Sequence, residues 1–228
     1  MPIRITQKIK RFSVAEPARP AVHLPKDPAT DVVQMHEKLE RPAVLIGSTY
    51  KIKSPLVEHA MYVTINDIVL NEGTEHELRR PFEVFINSKN MDHFQWIVAL
   101  TRIMSAVFRK GGDVTFLVDE MKAVFDPRGG YFKAGGLYMP SIVAEIGSVV
   151  EEHLKSIGMI ASTGMDEAQR TLVAQKRAAY EKQQVGPDTA ATDGFPPGAS
   201  LCLKCNTQAM VLLDGCQTCL SCGYSKCG

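Results

Sequence analysis

Between Ala43 and Asn87 the chain alternates apolar and polar positions. Tyr50-Lys51-Ile52-Lys53, Ala60-Met61-Tyr62-Val63-Thr64-Ile65-Asn66 and Phe82-Glu83-Val84-Phe85-Ile86-Asn87 step in twos and are rich in β-branched and aromatic residues, the pattern of strands with one buried face. Gly73 and Pro81 punctuate the last two, so an antiparallel sheet is expected. The period then changes. Phe94, Ile97, Val98, Thr101, Met104, Ala106 and Phe108 mark a broad apolar face on a helix that starts at a capping Asp92 and stops near Lys110 before Gly111-Gly112. A second helix is predicted from Val114 to Phe125, with Asp113 as its N-cap, and a third from Pro140 to Ile157, ended by Gly158. Sheet first and helices after predict an α+β domain over residues 41–160.

The flanks read differently. Residues 1–40 form an arm rich in proline (Pro17, Pro20, Pro25, Pro28), with a short helix predicted at 31–40 ahead of Arg41-Pro42. The basic side chains Arg4, Lys8, Lys10, Arg11 and Arg19 suit phosphate contact or a tail that adds a strand to a partner. Residues 165–184 carry charges at helical spacing and predict an exposed helix; residues 185–200 have linker composition, so 161–200 separates the core from a last module at 201–228.

Composition narrows the function. Net charge is +1, from 26 basic and 25 acidic side chains, which removes any global argument for nucleic acid or an anionic membrane. No apolar run approaches the ~20 residues that span a bilayer, and nothing at the amino end resembles a signal peptide, so a soluble, cytoplasmic protein is expected. Asp126-Pro127-Arg128-Gly129-Gly130-Tyr131-Phe132-Lys133-Ala134-Gly135-Gly136 is glycine-rich with two cations, yet it follows a helix and lacks phosphate-loop order; an interhelical loop is the better reading. His23, His36, His59, His76, His93 and His153 show no metal spacing and are expected to be solvated or satisfied in the core. Glu75, Glu77, Arg79 and Arg80 read as a solvated strand edge.

The chemistry is concentrated at the carboxyl end. All six cysteines lie from Cys202 onward, as Cys202-x-x-Cys205, Cys216-x-x-Cys219-x-x-Cys222 and Cys227. Paired C-x-x-C turns across a hairpin-length spacer aim four thiolates at one point, the spacing of a zinc ribbon. One assignment takes Cys202, Cys205, Cys219 and Cys222, because Asn206 and Gly223 follow the two turns and tolerate a left-handed backbone. It leaves Cys216 and Cys227, which flank the second turn and would face each other if the chain enters as one strand and leaves as the next. The other takes Cys202, Cys205, Cys216 and Cys219 and leaves Cys222 with Cys227. Either way a dithiol containing Cys227 remains outside the metal set, placed as a thiol shuttle; idle cysteines beside a structural ribbon are the simpler alternative.

The strings Ala60–Asn66, Pro81–Ile86 and Leu100–Gly112 resemble the TSCPD domain, and Gly215–Gly228 is similar to the cysteine-rich tail of the same enzymes, the adenosylcobalamin-dependent class II ribonucleotide reductases. The resemblance covers about residues 41–160 and 200–228. It implies a TSCPD-like sheet followed by three helices, zinc on this chain, and tail cysteines that re-reduce an active-site disulfide. In that role it places Cys227 with Cys216, or with Cys222. The chain departs from those enzymes in having no barrel and no cysteine before Cys202 to carry a thiyl radical. The resemblance therefore implies an accessory subunit of a split oxidoreductase, whose partners are a large catalytic subunit holding adenosylcobalamin and a thiol reductant, without direct nucleic acid. An assembly or regulatory adaptor that carries no electrons is the alternative.

Overall fold

The computed structural model describes residues 32–55, 58–89, 94–161, 165–183, 196 and 198–227. The basic arm, the Asp92 cap, His23, His93 and most of the linker lie outside them. Residues Val33–Gly228 form one unit and Met1–Val32 another, of which Val32 alone is described.

Three antiparallel strands, β1 (Ile46–Ile52), β2 (Met61–Leu70) and β3 (Leu78–Ser88), form a sheet in the order β1-β2-β3. Helices α1 (Phe94–Lys110), α2 (Phe116–Lys122) and α3 (Ile142–Ser156) follow, as the period change predicts. Val63, Ile65 and Val84 from the sheet meet Met104, Phe108, Val118, Val150 and Leu154 from the helices in one core. Burying each such side chain stabilises the fold by roughly 1.5–3 kcal/mol before the entropy of ordering is set against it.

The free edge of β3 is covered. Ser105 on α1 accepts the Val84 N–H at 3.0 Å and donates to Thr101 O at 2.7 Å, which satisfies an edge amide that would otherwise offer itself to another chain. The apolar face of α1 is narrower than its sequence suggests: Thr101, Met104, Ser105 and Phe108 are buried, while Phe94, Val98 and Ala106 are exposed. α2 begins three residues after Asp113, with Thr115 and not Asp113 at the N-cap position; the Asp113 carboxylate accepts from Thr115 N and Oγ1. α3 starts from Ser141, whose side chain accepts the Ala144 N–H, and ends at Gly158 with φ of 79°.

The predicted short helix at 31–40 is absent; residues 32–45 form a strap without a regular helix. Asn71 engages the strap instead: its side-chain amide accepts from Val33 N at 2.8 Å and donates to Val33 O at 3.0 Å, the carbonyl that a helix over 31–40 would offer to Glu37 N. Met35 from the strap packs with Ile68, Leu70 and Phe82 in a second, smaller cluster. Gly111 makes this approach possible, since a Cβ there would lie 2.2 Å from Met35 O.

The Arg79 end of the charge run is not a solvated edge. A bulge between Asn66 and Asp67 marks the point where Asp67 turns into the interior of β2. Its Oδ2 accepts from Arg79 at 2.7 and 2.8 Å, and its Oδ1 meets His153 Nε2 at 2.8 Å. His153 Nδ1 shares a hydrogen bond of 2.9 Å with Tyr50, so one buried network ties all three strands to α3, and His153 is a satisfied core histidine.

The glycine-rich interhelical segment holds a small hairpin, β4 (Tyr131–Phe132) with β5 (Tyr138–Met139). Its Tyr131 hydroxyl donates to Glu145 of α3, and Lys133 pairs with the same buried carboxylate at 2.7 Å. Burial, then the Glu145 contact, holds the Tyr131 phenol well above the usual tyrosine range. The cations of this segment are thus engaged: Lys133 with Glu145, Arg128 with Asp126. Helix α4 (Glu167–Gln183) and strands β6 (Ser200–Leu201), β7 (Gln208–Leu213), β8 (Cys216–Cys219) and β9 (Ser225–Lys226) complete the chain, the last four as a single antiparallel sheet. Among the described residues, no helix is long and apolar enough to cross a membrane.

Candidate metal and redox centre

Two turns of the same build carry the cysteines. In the first, Asn206 N donates back to Cys202 O at 2.8 Å, and Asn206 takes φ of 53°; in the second, Gly223 N donates to Cys219 O at 3.0 Å, with φ of 75°. The left-handed residue after each turn is what lets the chain fold back and point both thiols to the same side. Hairpin β7-β8 then brings the turns face to face, with Met210 opposite Cys219.

The result gathers Cys202, Cys205, Cys219 and Cys222, whose sulfurs all lie within 4.8 Å of one another. Cys205 and Cys219 are 3.7 Å apart, Cys202 and Cys222 3.9 Å. A tetrahedral shell with Zn–S bonds of about 2.3 Å has sulfur–sulfur edges of about 3.8 Å, so this donor set fits a zinc ion in distance as well as in chemistry. Of the two groupings the spacing allows, the structure brings together this one and leaves Cys216 outside it.

Proton affinities within the cluster diverge. Burial pushes the Cys205 thiol up, but hydrogen bonds from Thr207 and from the Cys222 and Cys219 thiols outweigh it and bring it down to about 7. Burial pushes Cys219 up to about 12, and Cys222 is also raised, by burial first. Four thiols this close cannot all ionise in mutual isolation; a divalent cation at their centre allows all four to be thiolates.

The remaining two cysteines are joined to each other. Strand β9 pairs with β8 through Gln217 with Lys226 and Thr218 with Ser225, and one step further along this register Cys216 forms a disulfide with Cys227. Exposure rises across the two sets: Cys202 and Cys219 are buried, Cys205, Cys222 and Cys216 are all half-buried, and Cys227 is exposed. A disulfide reachable from solvent is open to attack by an external thiolate.

The sequence gives no sign of what holds this module to the rest. Tyr138 N on β5 donates to Asn206 O at 2.7 Å, and Gln208 N donates to Gly136 O at 2.8 Å, so the hairpin continues into the ribbon by backbone bonds alone. Arg177 on α4 donates to Leu220 O at 2.7 Å, Val173 lies beside Gly223, and Tyr180 packs on the ribbon's own apolar cluster of Ala199, Ala209, Met210, Val211 and Leu220. The separation suggested by the linker composition is therefore along the chain and not in space. Arg177 and the hairpin residues Gly136–Tyr138 seat the module, and sequence reasoning passes over them, since the hairpin acts through its backbone and Arg177 through a carbonyl 43 residues away.

A family model described as the TSCPD domain matches residues 33–154, more than half of the 228-residue chain. No curated protein and no solved structure matches it.

Proposed function

The chain belongs to the TSCPD domain family, a domain found in class II, B12-dependent ribonucleotide reductases, and from that premise we propose that it is the accessory redox subunit of a split reductase. The observation that carries the reading is the Cys216–Cys227 disulfide, accessible at the surface and set apart from the four-thiol cluster. In the reaction it serves, each reduction of a ribonucleotide leaves a disulfide in the active site of the large subunit. The reduced Cys216/Cys227 pair resolves it by exchange. One thiolate attacks that disulfide, releasing one active-site thiolate and forming a mixed disulfide; the second thiol, as thiolate, then attacks the sulfur of the first and expels the other active-site thiolate, closing the Cys216–Cys227 bond. Two electrons and two protons pass to the large subunit, and Cys216–Cys227 is left oxidised for an external dithiol to reduce. The large subunit would carry adenosylcobalamin and the radical chemistry.

Cys202, Cys205, Cys219 and Cys222 would hold zinc, which supplies structural cross-linking of the two turns. The chain's own residues do the rest: Asn206 and Gly223 shape the turns, β8 and β9 bring Cys216 to Cys227, and the β4-β5 hairpin seats the module. A reducing, cytoplasmic setting suits a disulfide that must be cyclically opened.

The test is reconstitution. The large subunit alone should stop after a single round with a protein reductant, and adding this chain should restore repeated turnover; Cys227→Ser should keep zinc and fold yet abolish that gain, with small dithiols bypassing the defect. Firm seating of the module on the core is the observation that favours a second reading, a zinc-ribbon assembly adaptor without electron transfer. Full multiple turnover in Cys227→Ser would leave only the adaptor.

A further inference from the structure

Helix α1 carries a second stripe, turned away from the core. Trp96, Ala99, Ile103, Ala106 and Lys110 follow one another in steps of three and four residues, the spacing that keeps a straight seam on one side of a helix. All are exposed, Trp96 to 68% and Ile103 to 62%, which is unusual for two large apolar side chains on one seam. Large and small residues alternate. Ala99 and Ala106 leave gaps between and beyond Trp96 and Ile103, the holes into which side chains of a facing helix insert. At the Ala106 end the seam opens into a groove of about 540 Å³ between α1 and the strap, floored by Leu39, Phe82 and Val107.

The rim decides what kind of helix fits. Arg102, Arg109 and Lys110 run along it, with Arg41 across the groove. Arg41 is committed to Glu83 and Arg109 lies over the Phe82 ring, but Arg102 and Lys110 make no ion pair among the described residues. A second copy of the chain would match in size, since an antiparallel pairing sets Trp96 over Ala106 and Ile103 over Ala99. It would also bring the two Arg102 side chains together at the two-fold axis, where like charges repel. Glu37 of the strap also lines the groove, but α1 itself bears three cations on this side and no acidic residue, and a helix flank of one sign selects a partner of the other.

We propose that this seam is the docking surface for the large catalytic subunit, engaged through an amphipathic helix that has bulky aliphatic residues at heptad spacing and carboxylates along one flank. The inference rests on the accessory-subunit reading and adds to it the place of contact. The seam is on the core and the redox pair on the ribbon, so docking and electron delivery use different parts of the chain.

The experiment titrates the zinc-loaded, full-length chain and its variants against the intact large subunit, reading both affinity and turnover with a protein reductant. Ile103→Glu should raise Kd at least tenfold and shift the half-saturating concentration for turnover equally, with the turnover ceiling unchanged because Cys216 and Cys227 are intact. Ile103 is exposed, so the fold should survive; unchanged zinc content and helicity check this. Arg102→Glu should weaken binding more than Arg102→Gln, and the gap between them should close as salt is raised. Wild-type binding and turnover matched by Ile103→Glu would overturn the docking surface and leave the accessory role standing. A wild-type chain that neither binds nor supports turnover would remove the role itself, and the docking surface with it. If the wild type sediments as a dimer that Ile103→Glu dissociates without changing affinity for the large subunit, the seam is a self-association surface and the proposal fails.

Discussion

The α+β core and the cysteine ribbon hold their shapes by opposite means. The core relies on area: Val63, Met104, Phe108, Val150 and Leu154 are each wholly buried among side chains from sheet and helices. The ribbon has a small apolar cluster, four clustered thiols and one disulfide, and leans on α4 and a hairpin of two-residue strands for the rest. A segment this short cannot bury enough surface to fold by packing, so covalent and metal cross-links take the place of a core. Damage should therefore spread widely in the core and act all at once in the ribbon.

Cys205→Ser should have the largest effect. With one of four ligands gone, zinc binding worth roughly 10–16 kcal/mol in isolated zinc-binding peptides is mostly forfeited. The ribbon should unfold, as read by zinc stoichiometry and by loss of amide protection in residues 200–227, while the core keeps its own melting transition. Stoichiometric zinc in this variant would mean that the four sulfurs are not the site. Phe108→Ala is the mirror experiment. Truncating a fully buried phenylalanine costs about 3–5 kcal/mol, and the loss should appear in the core transition with zinc content unchanged.

Arg177→Ala probes the seam between the two. It removes a charge-assisted bond to Leu220 O, and about 1.5–3 kcal/mol is the expected loss. Exchange should quicken in the second cysteine turn and leave the sheet of the core unaffected; equal protection in variant and wild type would show that the ribbon stands without α4. The smallest effect is one of pH. The Arg41 guanidinium bonded to Glu83, with Asn66 assisting, holds that carboxyl below its usual range. A depressed carboxylate stabilises the fold above its unfolded value of about 4.3, and that contribution is lost as pH falls through the lower folded value. The core of the wild type should lose stability in that acid window, and Glu83→Gln should flatten the slope there without altering zinc content.

Legibility in the sequence followed the same division. Strands and helices of the core announced themselves because one buried face imposes a period, as at Met61–Asn66 and Thr101–Phe108. The cysteine turns were legible through Asn206 and Gly223, residues whose backbone preference does not depend on distant neighbours. What stayed hidden is non-local. Asp67 and His153 are 86 residues apart and carry no mutual signal. β4 and β5 are too short to show alternation, and where a helix is expected at 31–40 a strap bonds to an asparagine at position 71. The α1 face read from its sequence as one broad buried surface is in the structure a narrow buried one beside an exposed seam, a distinction composition cannot make.

The two sulfurs of the exposed disulfide differ in what happens when their bond opens. Cys216 remains fixed in β8, paired across to Leu213 and one residue from the Gly215 turn. Cys227 is held only by the two-residue strand β9 and, before that, by the anchored Cys222. Cys227 lies five residue steps beyond Cys222, and an extended chain covers about 3.3–3.6 Å per residue, so a freed Cys227 sweeps a radius of ~17 Å around its anchor. Reduction thus turns a clasp into a tether, with one thiol able to travel and the other waiting at the point of return.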